Sequence, residues 1–87
     1  MHELSLMKDL VHKIETLAKT QQAQKVIGIR VKLGALCHIS PSHFIEHFVE
    51  SSTGTIADGA KVEIDVMEDI AHPQARDVLL ESIEAED

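Results

Sequence analysis

An alternating segment in the middle of the chain, VIGIRVKLGAL (residues 26–36), restricts the fold more than any other feature. From position 27 to position 35 apolar residues occupy the odd positions, while glycines and basic residues occupy the even ones. This period of two is typical of a strand with one buried and one solvated face. The predicted buried face consists of Ile27, Ile29, Val31, Leu33 and Ala35.

Two other segments have the periodicity of amphipathic helices. Residues 5–21 repeat apolar residues three and four apart, with Ser5 as the expected N-cap. In the second segment, Ser40 and Pro41 supply an N-cap and a first helical residue, and Gly54 can end the helix in a left-handed conformation. The predicted apolar stripes are Met7, Leu10, Val11, Ile14, Leu17 and Ala18 in the first helix, and Phe44, Ile45, Phe48 and Val49 in the second.

Two more strands are expected after the second helix. Residues 60–66 alternate again after an Asp58-Gly59 turn, with the apolar side chains inward, and a short strand covers residues 78–85. With a short extended piece before the first helix, the predicted order is β-α-β-α-β-β. This order predicts an α+β fold, a small mixed β-sheet with two amphipathic helices packed on one face. Residues 1–87 are expected to form a single domain, in which residues 68–77 are a short link.

Charge and cysteine content exclude several classes of protein. Fifteen acidic and eight basic residues give a net charge of −7, which argues against nucleic-acid partners and anionic membrane surfaces. No segment approaches the roughly 20 apolar residues of a membrane span, and Lys8, Asp9 and His12 interrupt any signal-peptide core. The single cysteine, Cys37, cannot form an internal disulfide. We therefore expect a cytoplasmic protein.

Motifs for catalysis are weak in this sequence. The four glycines are scattered and do not form a phosphate-binding loop. Cys37 and His38 are adjacent in sequence, but activation of a thiol nucleophile requires spatial pairing. We interpret Cys37 as a small residue at the end of a strand, and we do not expect an enzyme.

Six histidines are present in 87 residues. His43 and His47 are four residues apart, a spacing that can chelate a metal on one helical face. They fall on the side opposite the apolar stripe, so we expect a solvated pair whose metal binding is adventitious. His12 is expected on the wet face of the first helix, and His72 in a loop beside Pro73.

The opening residues Met1, His2 and Glu3 form a set of nitrogen donors. An unblocked α-amine has a pKa of about 8, so it can bind a metal at neutral pH. The amine, the His2 amide nitrogen and the His2 imidazole Nδ1 make consecutive chelate rings around one ion. Ni(II) and Cu(II) can displace the amide proton and favour planar nitrogen coordination, whereas zinc generally cannot. The fourth position is left to the Glu3 amide or to a ligand from elsewhere.

The segments MHELSLMKDLV, VIGIRVKLGAL and SPSHFIEHFVESSTGT, followed by ADGAKVEI, resemble in order and spacing the nickel-binding domain of the HypA family of metallochaperones. This resemblance covers residues 1–67 continuously and resumes in the final strand, LLESIEAE. The family delivers nickel to [NiFe]-hydrogenase maturation and, in some organisms, to urease. The resemblance therefore implies a nickel-binding accessory protein.

Carried onto this chain, the resemblance places the ligands of a transiently bound Ni(II) at Met1 (α-amine), His2 (amide and imidazole) and Glu3 (amide). It implies a HypB-type GTPase, which the Glu3 side chain would contact, and the hydrogenase large subunit as partners. An alternative is an interaction or scaffold module that keeps the partner-binding surface without metal delivery. The oligomeric state is left open.

The chain departs from the family pattern between its last two strands. HypA proteins insert there a zinc module built on two CxxC pairs, whereas this chain has only EDIAHPQARD at residues 68–77. With Cys37 as its only cysteine, the chain cannot form a four-thiolate site, so no structural zinc is expected. His72, within this link, is a further candidate for completing the nickel site.

Overall fold

A computed structural model describes residues 3–86 of the chain. In this range the elements are α1 (Glu3–Thr20), β1 (Lys25–Leu33), α2 (Pro41–Ser52), β2 (Lys61–Val66) and β3 (Val78–Glu86). The sheet has the order β2-β1-β3, and its central strand β1 pairs parallel with β2 and antiparallel with β3. Both helices contribute to one core with the inner face of this mixed sheet. The α+β class predicted from the sequence is confirmed.

The first helix begins earlier than the sequence predicted. Because α1 starts at Glu3, Ser5 lies inside the helix and is not its N-cap. The extended piece predicted before the helix falls on Met1 and His2, which lie outside the described residues. Between residues 3 and 86, neither helix is long and apolar enough to cross a membrane.

Strand β1 contains a β-bulge that changes which side chains face the core. Its pairing with β3 shifts between Val26 and Gly28, leaving Ile27 as an extra residue. A bulge of one residue reverses the direction of the side chains beyond it. Val26 is consequently fully buried, whereas Ile27 is 37% exposed. The prediction that Ile27 faces inward is wrong; the buried apolar residues of this strand are Val26, Ile29, Val31 and Leu33.

The second helix contributes the two aromatic rings of the core. Phe44 and Phe48 are at most 1% exposed, and their rings lie nearly parallel with centroids 6.3 Å apart. Ile45 and Val49, predicted in the same apolar stripe, are exposed. The helix turns the side containing Phe44, Phe48 and Ser52 toward the core. The stripe is therefore narrower than the sequence pattern suggested.

The N-terminus of α2 has the predicted cap. Ser40 is in an extended conformation, and the His43 backbone N–H donates to its Oγ at 3.2 Å. Pro41 follows as the first helical residue. The side-chain oxygen of Ser40 thus satisfies one of the backbone N–H groups that a helix leaves unpaired at its start.

We expect Ser40→Ala to lower the free energy of unfolding by about 1 kcal/mol, because the His43 N–H loses its acceptor. Urea unfolding followed by circular dichroism measures this change. Ser5→Ala is the matched control, since Ser5 lies within α1, where alanine is the stronger helix former. A loss of stability in Ser5→Ala equal to that in Ser40→Ala would contradict the assigned cap.

The sheet face opposite the helices is polar, as the alternation of β2 predicted. Arg30 donates to the Glu63 carboxylate at 2.6 Å, and Lys32 lies 3.7 Å from Glu81. The hydrogen bond to Glu63, together with its negative charge, raises the pKa of Arg30 above its ordinary value. Because Arg30 and Glu63 are both largely exposed, this pair contributes little to stability.

Candidate metal-binding site

The predicted metal donors lie at the start of α1. Glu3 is the first residue of that helix, while Met1 and His2 lie outside the described residues. The first four backbone N–H groups of an α-helix have no acceptor within the helix. The helix therefore leaves the backbone amide of Glu3 available for another role, including metal coordination.

The beginning of α1 also forms one wall of a cleft of about 920 Å³. The loop after β1, the end of the link at residues 68–77 and the start of β3 form the remaining walls. Its lining contains apolar side chains and charged side chains of both signs, and the charged ones are Asp9, Lys13, Arg76 and Asp77. Such a mixed lining suits a protein or peptide surface better than a bare metal ion. In the part of the chain that the structure describes, no three His, Cys, Asp or Glu side chains are placed to hold a metal.

One wall of the cleft is held to the link at residues 68–77 through the backbone. The Gly34 N–H donates to the Asp77 carbonyl at 2.8 Å, and the Leu36 N–H donates to the Ala75 carbonyl at 2.6 Å. Gly34 approaches the link so closely that an added Cβ would overlap with the carbonyl group of Ala75. The loop after β1 and the link are therefore fixed to each other at this end of the sheet.

Cys37 and His38 both line the cleft. The half-buried thiol of Cys37 lies 3.6 Å from the backbone carbonyl of Ile39, to which it can donate a weak hydrogen bond. His38 is exposed and has a φ of 61°, in the left-handed region. The prediction that Cys37 lies at the end of a strand is wrong, because β1 ends at Leu33 and Cys37 belongs to the loop that follows.

His72 lies in an exposed turn of the link. Its Nδ1 accepts a hydrogen bond from the Gln74 N–H at 3.0 Å, which leaves Nε2 as the nitrogen that could bind a metal. The Asp69 carboxylate accepts from the Ala71 N–H at 2.9 Å in the same turn. The link thus has a defined conformation, and His72 is not among the residues that line the cleft.

The two histidines of α2 come close together. The ring centroids of His43 and His47 are 5.9 Å apart, and the ring planes are inclined by 56°. His43 is exposed, but His47 is half-buried. The prediction of a fully solvated pair is therefore wrong for His47, because α2 is rotated so that this residue lies at the edge of the core.

The sequence profile of the family described as hydrogenase/urease nickel incorporation, metallochaperone, hypA matches residues 1–75. The chain belongs to the HypA family. The hydrogenase maturation factor HypA of Archaeoglobus fulgidus is 39% identical over 66 residues, which are 76% of this chain and 60% of that protein. The factor from Methylocella silvestris is 39% identical over 67 residues, which are 77% of this chain and 59% of that protein. The chain spans about three fifths of the length of these curated relatives.

Two solved HypA structures have the same fold. The solution structure of the Ni metallochaperone HypA from Helicobacter pylori superposes with a TM-score of 0.83, covering 99% of this chain and 98% of that one at 21% identity. A second HypA solution structure gives a TM-score of 0.76, covering 98% of this chain and 96% of the other, again at 21% identity. At this identity the likeness concerns the fold alone.

The cleft beside α1 was missed by the sequence analysis. Leu36 and Ile39, which help to line it, lie in the loop after β1, where apolar residues are less expected. That departure from a polar loop was the only local indication in the sequence. Nothing in the sequence around Arg76 and Asp77 indicated that they line a cleft, because only the folded link brings them near α1.

Proposed function

We propose that this HypA-family chain is a nickel-binding accessory protein for [NiFe]-hydrogenase maturation. Ni(II) is its cargo, bound through the Met1 amine, the His2 amide and imidazole, and the Glu3 amide. The observation that carries the proposal is the family match over residues 1–75, which includes all three residues. The start of α1 at Glu3 supports it, because the Glu3 amide has no acceptor within the helix.

The position of Glu3 also favours the required chemistry. Planar nickel coordination needs deprotonated amide nitrogens, which carry negative charge. The positive end of the helix dipole stabilises negative charge at the first residues of α1. A site built from consecutive nitrogens at the start of the chain is open on its other sides, so a partner can approach the ion and remove it.

The cleft next to the first turns of α1 gives this proposal a docking surface. A HypB-type GTPase and the hydrogenase large subunit are the proposed partners, and they place the chain in the cytoplasm. The whole chain, residues 1–87, acts in this proposal as one nickel-binding domain. Residues 68–77 stand where the family carries its zinc module, and no structural zinc is required.

Titration of Ni(II) into the tag-free protein is expected to produce the d–d absorption band of a planar nitrogen site. His2→Ala removes the imidazole donor, and one glycine added before Met1 moves the α-amine out of chelating position. Each change should abolish the band. The measurement is absorption spectroscopy combined with calorimetry at neutral pH.

His12→Ala is the matched control, because His12 is an exposed histidine of α1 and its replacement should leave nickel binding unchanged. If His2→Ala and the extended protein bind nickel as the parent does, the N-terminal site is wrong. Tight binding of a HypB-type GTPase that is indifferent to nickel and to His2 would instead indicate an interaction module.

A further inference from the structure

Helix α2 presents a pair of histidines that the proposed nickel site does not use. His43 and His47 are one turn apart, with ring centroids at 5.9 Å. Two imidazoles that share one ion through nitrogens about 2.0–2.1 Å from it have ring centres about 5 Å apart. The observed separation is therefore within a small side-chain rotation of chelation, and the exposed His43 ring can make that rotation.

The backbone that carries the pair is already ordered. The Ser40 cap and Pro41 fix the first turn of α2, and His43 is the residue whose N–H donates to the cap. His47 is half-buried at the edge of the core, which limits the orientations of its ring. Binding a metal here would order little more than the His43 side chain, so the entropic cost is small.

The charge around the pair also favours a cation. Glu46 and Glu50 are exposed on α2, and Glu50 lies one turn beyond Glu46 and three residues after His47. At helical spacing these two carboxylates share the side of the helix on which the histidines lie. Their negative charge offsets the positive end of the helix dipole near His43.

We propose that His43 and His47 form a second metal site, distinct from the N-terminal one, for a divalent cation of borderline softness such as Zn(II). Imidazole nitrogens suit Zn(II), Ni(II) and Cu(II). Since no group of three ligands exists within residues 3–86, water fills the remaining positions. This site requires no amide deprotonation. Zinc can therefore occupy it, although zinc generally cannot displace the amide protons at the N-terminal site.

Zn(II) titration of the tag-free protein with one glycine before Met1 tests the site, because this extension disables the N-terminal donors. We expect zinc-dependent shifts of the His43 and His47 ring resonances in nuclear magnetic resonance spectra and a rise in the melting temperature. His43→Ala and His47→Gln should each weaken zinc binding at least tenfold. His12→Ala, which replaces an exposed histidine of α1, should bind zinc as the parent does.

Unchanged zinc affinity in His43→Ala would overturn the proposal, as would the absence of ring shifts in the parent. An equal loss in His12→Ala would show scattered surface binding and overturn it as well. His43 is exposed, so its replacement leaves the fold intact, and backbone spectra of His47→Gln check the half-buried position. The experiment is independent of nickel binding at Met1–Glu3, so either site can fail without the other.

Discussion

Replacing Phe44 by alanine is expected to lower the free energy of unfolding by about 3–5 kcal/mol. The ring is completely buried and stacks on Phe48, in a chain with two phenylalanines and no tryptophan or tyrosine. Phe48 already packs in the core and cannot also fill the cavity. A domain of this length has a total stability of roughly 4–13 kcal/mol, so the loss would leave a marginally folded protein.

Urea unfolding must be followed by circular dichroism, because the chain lacks tryptophan and tyrosine as fluorescent reporters. Val49→Ala is the matched control on the same helix. Its side chain is 57% exposed, so we expect a change within about 0.5 kcal/mol. Equal losses in the two variants would show that α2 does not turn its Phe44 side toward the core.

Gly34→Ala is expected to lower the free energy of unfolding by about 3 kcal/mol or more, at the upper end of overpacking effects. The added Cβ would overlap with the backbone carbonyl of Ala75, which no rotamer change can relieve. The backbone must shift instead, and the shift strains the hydrogen bonds that Gly34 and Leu36 make to the link. Exchange of these two amide protons with solvent should therefore accelerate more than exchange in α1.

Gly28→Ala, within β1, is the control for Gly34, which directly follows that strand. There the new Cβ would lie 3.1 Å from a carboxylate oxygen of Glu84, at the end of a flexible side chain that can move away. Gly28→Ala should lower the free energy of unfolding clearly less than Gly34→Ala does. A Gly34→Ala protein as stable as Gly28→Ala would mean that the link does not pack against the end of β1.

Local periodicity predicted the helices and strands because burial of one face dominates each of them. Periodicity failed where packing against a neighbouring element determines which side chains are buried. The bulge at Ile27 depends on the pairing of β1 with β3, which the sequence of β1 alone does not contain. The exposure of Ile45 and Val49 depends on how α2 rotates above a narrow sheet, so four apolar residues could not reveal which two are buried.

The candidate site likewise has one part that the sequence predicted and one part that it did not. Chelate chemistry and family resemblance both led to Met1, His2 and Glu3, and this ligand set stays a prediction because the first two residues lie outside those described. The cleft could not have been predicted, since it combines α1, the loop after β1, the end of the link and the start of β3. Those segments are distant in sequence and meet only in the folded chain.

The link between β2 and β3 begins and ends next to the same end of β1, where it is hydrogen-bonded to two adjacent residues, Leu33 and Gly34. The Met67 N–H donates to the Leu33 carbonyl at 2.8 Å, and the Gly34 N–H donates to the Asp77 carbonyl at the same distance. With both ends fixed, doubling the length of the intervening segment costs only about 0.6 kcal/mol of loop-closure free energy. During evolution or in protein engineering, sequences of very different size could therefore be exchanged here while the strand register is preserved.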